Sequence, residues 1–177
     1  MKSFWQKTIE SGFSLLEIII TLSLLTISLV AIITVATKIL HLENITENDF
    51  VAKGLLVEAI SLTEAKRNAN VATSTVFYSG MATSTGNGDT YSFVIDYTGM
   101  VYGVGSVTDA GARLKYDDTN FFQHTTGSDT KFYRRVVTTY STSNKHSLAV
   151  EAQIYWVDRG GKANTQKLSA VLYNTAY

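Results

Sequence analysis

The feature that most constrains this chain is a run of 20 consecutive uncharged residues, Ile18 to Thr37, built mainly of Ile, Leu and Val. As a helix rising about 1.5 Å per residue, it measures roughly 30 Å, the thickness of a bilayer's hydrocarbon core. The chain contains no proline, so no proline kink is open to such a helix. After Lys38 the sequence changes character and reads as an ordinary soluble one. The whole-chain averages, 45% hydrophobic and 17% charged, hide that division. A length of 177 residues suits one domain plus an accessory segment.

The flanks of the run are unusual. A secretory signal has an apolar stretch of about 7–15 residues followed by a small-residue cleavage site. Here the stretch is longer, and the small pair Ser11-Gly12 lies before it. The preceding segment is polar, with Lys2, Gln6, Lys7 and Glu10. The order of signals is therefore inverted. Glu17 is the second oddity. A carboxylate in a membrane helix costs about 2.5–3.5 kcal/mol at the bilayer centre and less toward the interface, so it needs a partner and a purpose. Cleavage after Gly12 would create an α-amino group on Phe13, one helical turn from Glu17. Ammonium and carboxylate could offset each other's desolvation within one chain, or between chains, where the pairing would set a register.

Gly12-Phe13-Ser14-Leu15-Leu16-Glu17 resembles the prepilin processing motif of type IV pilins and type II secretion pseudopilins. The resemblance implies a leader at residues 1–12, cut by a prepilin peptidase between Gly12 and Phe13. It also implies N-methylation of Phe13, and Glu17 as the assembly residue. It assigns residues 13–38 to a transmembrane helix that becomes the filament core, and residues 39–177 to a periplasmic or extracellular globular pilin domain. The implied partners are the peptidase, other pilin subunits, an inner-membrane assembly platform and, before assembly, membrane lipid. Charge alone does not orient the segment, because Lys2 and Lys7 on one side balance Lys38 and Lys53 on the other. The resemblance places the leader in the cytoplasm and the globular domain outside, first in a single-pass membrane protein and then on a surface filament.

Beyond the run, Leu42, Ile45, Asp49, Ala52, Leu56, Ala59, Ile60 and Thr63 form a mainly apolar stripe at helical spacing. The spacing predicts one helix from Ser14 to Asn68, weakest at Gly54. From Val71 the period becomes two, predicting strands at Ser74–Ser79, Tyr91–Tyr97, Met100–Val107, Phe132–Thr142, Ser147–Val157 and Gln166–Asn174. Asp158 to Lys162 reads as a hairpin turn around Gly160-Gly161, and the last three strands read as an antiparallel meander. The fold class is α+β: a long N-terminal hydrophobic helix, a spine, packed on an antiparallel sheet, and the resemblance implies that this is the pilin fold. The stretches Ala52 to Asn70, Ile154 to Lys162 and Leu168 to Asn174 are also similar to minor pilins of the type IV pilus modification (PilV-like) group. Many major pilins carry a proline part-way along the mature helix, where this chain has Thr34, and close a C-terminal loop with a disulfide. With no cysteine and no proline, the chain departs from them toward a minor pilin or pseudopilin.

Signals of other chemistry are sparse. Zero cysteine excludes thiol catalysis and Cys-based zinc sites. His41, His124 and His146 lack metal-ligand spacing. Asp109, Asp117 and Asp118 do not form an EF-hand, and Gly86-Asn87-Gly88-Asp89 is a turn rather than a phosphate loop. No activated nucleophile is evident, so the expectation is a non-enzyme with no catalytic residues, no metal and no cofactor. Net charge is zero, but residues 131–177 carry seven Lys/Arg against two acids, while residues 89–129 carry two against six. Nucleic acid is an open but unsupported partner, through tyrosines with Arg134, Arg135 and Lys145. A competence or secretion pseudopilin, a tip adhesin or DNA-uptake minor pilin, and a plain membrane-anchored binding domain remain as alternatives.

Overall fold

The computed structural model describes residues 14–82, 89–99, 101–117, 121–140 and 147–174. The chain divides into two compact units, Met1–Thr46 and Glu47–Tyr177. The long helix α1, Leu15–Ala72 (58 residues), contributes its first part to one unit and its second part to the other.

In the first unit the described chain is helical from Leu15 onward. Its Ile, Leu and Val side chains are exposed from Leu15 to Leu42. The helix is long and apolar enough to cross a membrane.

In the second unit the chain forms a single antiparallel sheet. The strands are β1 (Thr90–Ile95), β2 (Val101–Gly103), β3 (Arg113–Tyr116), β4 (Phe122–Gln123), β5 (Ser128–Tyr140), β6 (Ser147–Val157) and β7 (Ala163–Tyr173), with a 3-10 turn η1 (Ala110–Ala112) before β3. The 13-residue β5 organises it. On one side β5 pairs along its length with β6, which pairs with β7. On the other side it is shared: β1 pairs with Val136–Thr139, and β3 pairs with the stretch from Ser128 to Tyr133. Alternate residues of β5 turn inward, Phe132, Arg134, Val136, Thr138 and Tyr140 all being buried. So do Leu148, Val150, Ala152, Ile154 and Trp156 of β6. This is the period-two pattern of a sheet with one covered face. The covering stripe of α1 is Asn48, Ala52, Leu55, Leu56, Ala59, Thr63, Arg67 and Asn70. Its apolar members share one core cluster with the inward residues of the sheet.

The α+β class and the antiparallel β5–β6–β7 meander match expectation, and β6 has the expected bounds. Other expectations need correction. The segment Ser74–Ser79 is a series of turns, not a strand. The helix runs past Asn68 to Ala72 and closes with a Schellman motif around Ser74 at φ 55°: Ser74 N–H bonds Val71 O (3.1 Å) and Thr75 N–H bonds Asn70 O (3.0 Å). The Asn70 amide then donates to the carbonyls of Phe77 (3.1 Å) and Ser79 (2.9 Å), which winds the segment so that Phe77 and Met81 enter the core. In the predicted stripe Leu42 is exposed, while Leu55, Asn48, Arg67 and Asn70 are buried members that were missed.

Strand β1 stops at Ile95 because Asp96 Oδ1 accepts Thr98 N–H (3.0 Å) and starts a turn. Strand β2 stops at Gly103 and not at Val107. There Asp109 Oδ2 accepts the N–H groups of Gly105 (2.9 Å) and Ser106 (2.7 Å) and pulls the chain away. In the β6–β7 turn only Gly161 uses positive φ (77°), so the glycine pair is not needed as a pair. Met100, Asp118, the turn at Gly86 to Gly88, Thr142, Lys145 and His146 lie outside the described residues.

Candidate functional site

The candidate site is the start of α1. Gly12 and Phe13 lie outside the described residues, and Glu17 lies in the first turn of the helix. Ser14 O accepts the N–H groups of Glu17 (2.9 Å) and Ile18 (3.2 Å), the first bonds of the helix. An acidic side chain here faces the positive end of the helix dipole, a favourable placement of about 0.3–1 kcal/mol at an exposed site.

The Glu17 carboxylate gains its significance from the helix that extends beyond it. The uncharged run contains six hydroxyls, and each is bonded within the helix. Thr21 donates to Glu17 O (2.9 Å) and Ser23 to Ile19 O (2.7 Å). Thr26 donates to Leu22 O (2.7 Å) and Ser28 to Leu24 O (2.8 Å). Thr34 donates to Val30 O (2.8 Å) and Thr37 to Thr34 O (3.0 Å). A hydroxyl that bonds back to the preceding turn leaves no donor facing an apolar solvent. Glu17 is therefore the one polar group from residue 17 to residue 37 with an unmet demand for water or a counter-charge. The Glu17 side chain is in no ion pair among the described residues.

Other candidate chemistry is dispersed. No three His, Asp or Glu side chains come together among the described residues. Asp109 is occupied by its own loop, and Asp117 accepts Phe121 N–H (3.2 Å) and the Gln123 amide (2.8 Å). Of the basic residues proposed for a stacking surface, Lys145 lies outside the described residues and the two arginines are engaged within the protein. Arg134 points into the core and is 1% exposed. Arg135 donates through Nε and Nη2 to Gln153 Oε1 (3.0 and 2.9 Å) and through Nη1 to Gly105 O (2.5 Å).

Two polar clusters were not visible in the sequence. In the first, Arg134 Nη1 pairs with Glu58 of α1 at 3.0 Å, and Arg134 Nη2 donates to Ile95 O at 2.9 Å. In the second, Asp158 accepts from Trp156 Nε1 (3.0 Å), Asn48 Nδ2 (3.1 Å) and Asn164 Nδ2 (2.6 Å). Desolvation works against ionisation of Asp158, but bonds from Asn164, Trp156 and Asn48, with Lys131 nearby, hold its carboxyl below the usual range. Both clusters tie α1 to the sheet. An Asn in the helical stripe and an Arg at an inward strand position were the signals available, but neither side chain alone names its partner.

No family model matches the chain, and neither a curated protein nor a solved structure does.

Proposed function

We propose that the chain is a structural subunit, of the minor class, of a type IV pilus or pilus-like filament. In this reading a prepilin peptidase removes residues 1–12 and methylates the new amine of Phe13. The uncharged helix first holds the subunit in the membrane as a single span, with the leader cytoplasmic and the globular domain outside. It then leaves lipid to pack against the helices of neighbouring subunits. An inner-membrane platform performs the transfer. A pseudopilin of type II secretion or competence would be built and processed in the same way.

One observation carries the reading. Glu17 is the lone unmet charge at the head of a helix whose other polar groups are internally satisfied, and it stands four residues after Phe13. An anchor that only holds a domain in a bilayer gains nothing from such a carboxylate. A subunit that must find a register among identical helices gains a directional contact from it. The missing proline and cysteines support a minor pilin or pseudopilin over a major pilin.

The Gly12–Phe13 bond has to enter an active site in extended form at the membrane surface, where a branched side chain on residue 12 would obstruct the backbone. Gly12→Val should therefore accumulate as a full-length membrane protein beginning at Met1. Recovery of that variant with Phe13 as its first residue would refute the leader assignment.

A further inference from the structure

We propose that His124, enclosed with Arg134 and Asp96, is an acid-operated latch on the β3–β4 hairpin: proton uptake by its ring releases the hairpin while β5, β6 and β7 stay folded. The latch does not depend on the filament reading.

His124 directly follows β4. Neither ring nitrogen makes a hydrogen bond of ordinary geometry within the protein, and both are buried. The charged groups that bear on it come from different elements. Arg134 reaches it from β5, and Asp96 from the end of β1. The backbone of Arg113 in β3 and of Gly111 in η1 supplies carbonyls on the remaining side. The Arg113 guanidinium is itself committed to Asp129 (2.9 Å) and Thr130 O (2.8 Å). Arg134 is held by Glu58 and Ile95 O and cannot swing away from a second positive charge. Asp96 is 1% exposed, with Oδ2 buried and without a hydrogen bond. The enclosure therefore suits a neutral ring.

The hairpin is also the least secured part of the sheet. β4 pairs with β3 at two register positions, Lys115↔Gln123 and Tyr116↔Phe122, and the β3–β5 register breaks between Arg113 and Lys115. β6 and β7, by contrast, pair continuously from Ser147↔Tyr173 to Val157↔Ala163. The return into β5 runs through Gly127 at φ 106°, where a Cβ would meet Tyr116 O at 2.5 Å, so the loop has one tight path back. Few pairings and a single tight return make this the segment to open first.

Burial, with Arg134 second, pushes the His124 pKa down to about 4; Arg113 and Gly111 carbonyls and Asp96 oppose the shift. The closed hairpin therefore keeps His124 neutral between pH 6.5 and about 4, whereas the opened hairpin takes up a proton. Stability is lost as pH falls through that window, so the opening constant rises by up to about tenfold per pH unit.

Hydrogen exchange with mass spectrometry on the full-length protein in lipid nanodiscs, corrected for intrinsic rates, reads this directly. Opening of the described hairpin residues, 111–117 and 121–127, should rise about eightyfold from pH 6.5 to pH 4, while β6 and β7 amides keep their protection. In His124→Gln the hairpin should open to the same extent at every pH. In Asp96→Asn, which removes the acid favouring the charged ring, the wild-type rise should continue below pH 4. A hairpin that loses protection only together with β6 and β7 would overturn the latch. So would a His124→Gln hairpin with unchanged pH dependence, or an Asp96→Asn rise ending where that of wild type ends.

Discussion

Glu17→Ala is expected to be cleaved after Gly12 and to remain membrane-resident, yet to enter filaments at least a hundredfold less often than the unaltered chain. Removing the charge eases insertion, because the desolvation cost of the carboxylate disappears. Nothing else in the span changes: the Thr21 and Ser23 hydroxyls bond backbone carbonyls, not the Glu17 side chain. The loss falls on assembly. In the filament the Phe13 ammonium would be buried with no counter-charge, and leaving one member of a buried pair alone costs about 3–5 kcal/mol. Because a minor subunit can meet a single neighbour at a tip, the assay should count incorporated copies beside unaltered major subunits and not piliation alone. Copy numbers equal to those of the unaltered chain would remove the ion pair from the account and leave Glu17 as a recognition residue for the peptidase.

Arg134→Ala is expected to destabilise the globular unit by about 3 kcal/mol. Three losses combine. The Ile95 carbonyl loses its bond, the buried stem leaves a void, and Glu58 keeps its charge without its partner. Glu58 is 37% exposed on its side chain and can rehydrate in part, which keeps the cost toward the low end. Arg134→Met with Glu58→Gln should recover most of the loss, since a buried ion pair exchanged for groups of similar volume is often close to neutral. Chemical denaturation of the three proteins decides it. An Arg134→Ala loss below about 1 kcal/mol would show that the pair is dispensable.

How much of this architecture could be read from residues alone varied with the physical signal. The helix was legible because its run is without a charge from Ile18 to Thr37 and its outer stripe recurs every three to four residues. Strand β6 was legible because every second residue from Leu148 to Trp156 is apolar and turns inward. Strands β3 and β4 were missed because Arg113–Tyr116 sends one apolar side chain, Leu114, into the core and Phe122–Gln123 is too short for any period. The start of β5 was missed for a related reason: Ser128 to Lys131 is polar and is held by pairing with β3, not by burial. Ser74–Ser79 misled in the opposite direction, since its β-favouring residues are overruled by the Asn70 amide. At the candidate site, Glu17 was visible as a charge out of place. The Arg134–Glu58 and Asn48–Asp158 contacts join residues far apart in sequence, and composition does not announce such pairs.

The central claim is that the chain matures by losing residues 1–12. Intact-mass and N-terminal peptide analysis of the protein isolated from its native membranes tests this most directly. The account predicts a mature chain that begins at Phe13, carries a methyl group on its α-amine and retains the whole uncharged helix. A protein that still begins at Met1, or one cut on the far side of Thr37, would contradict it.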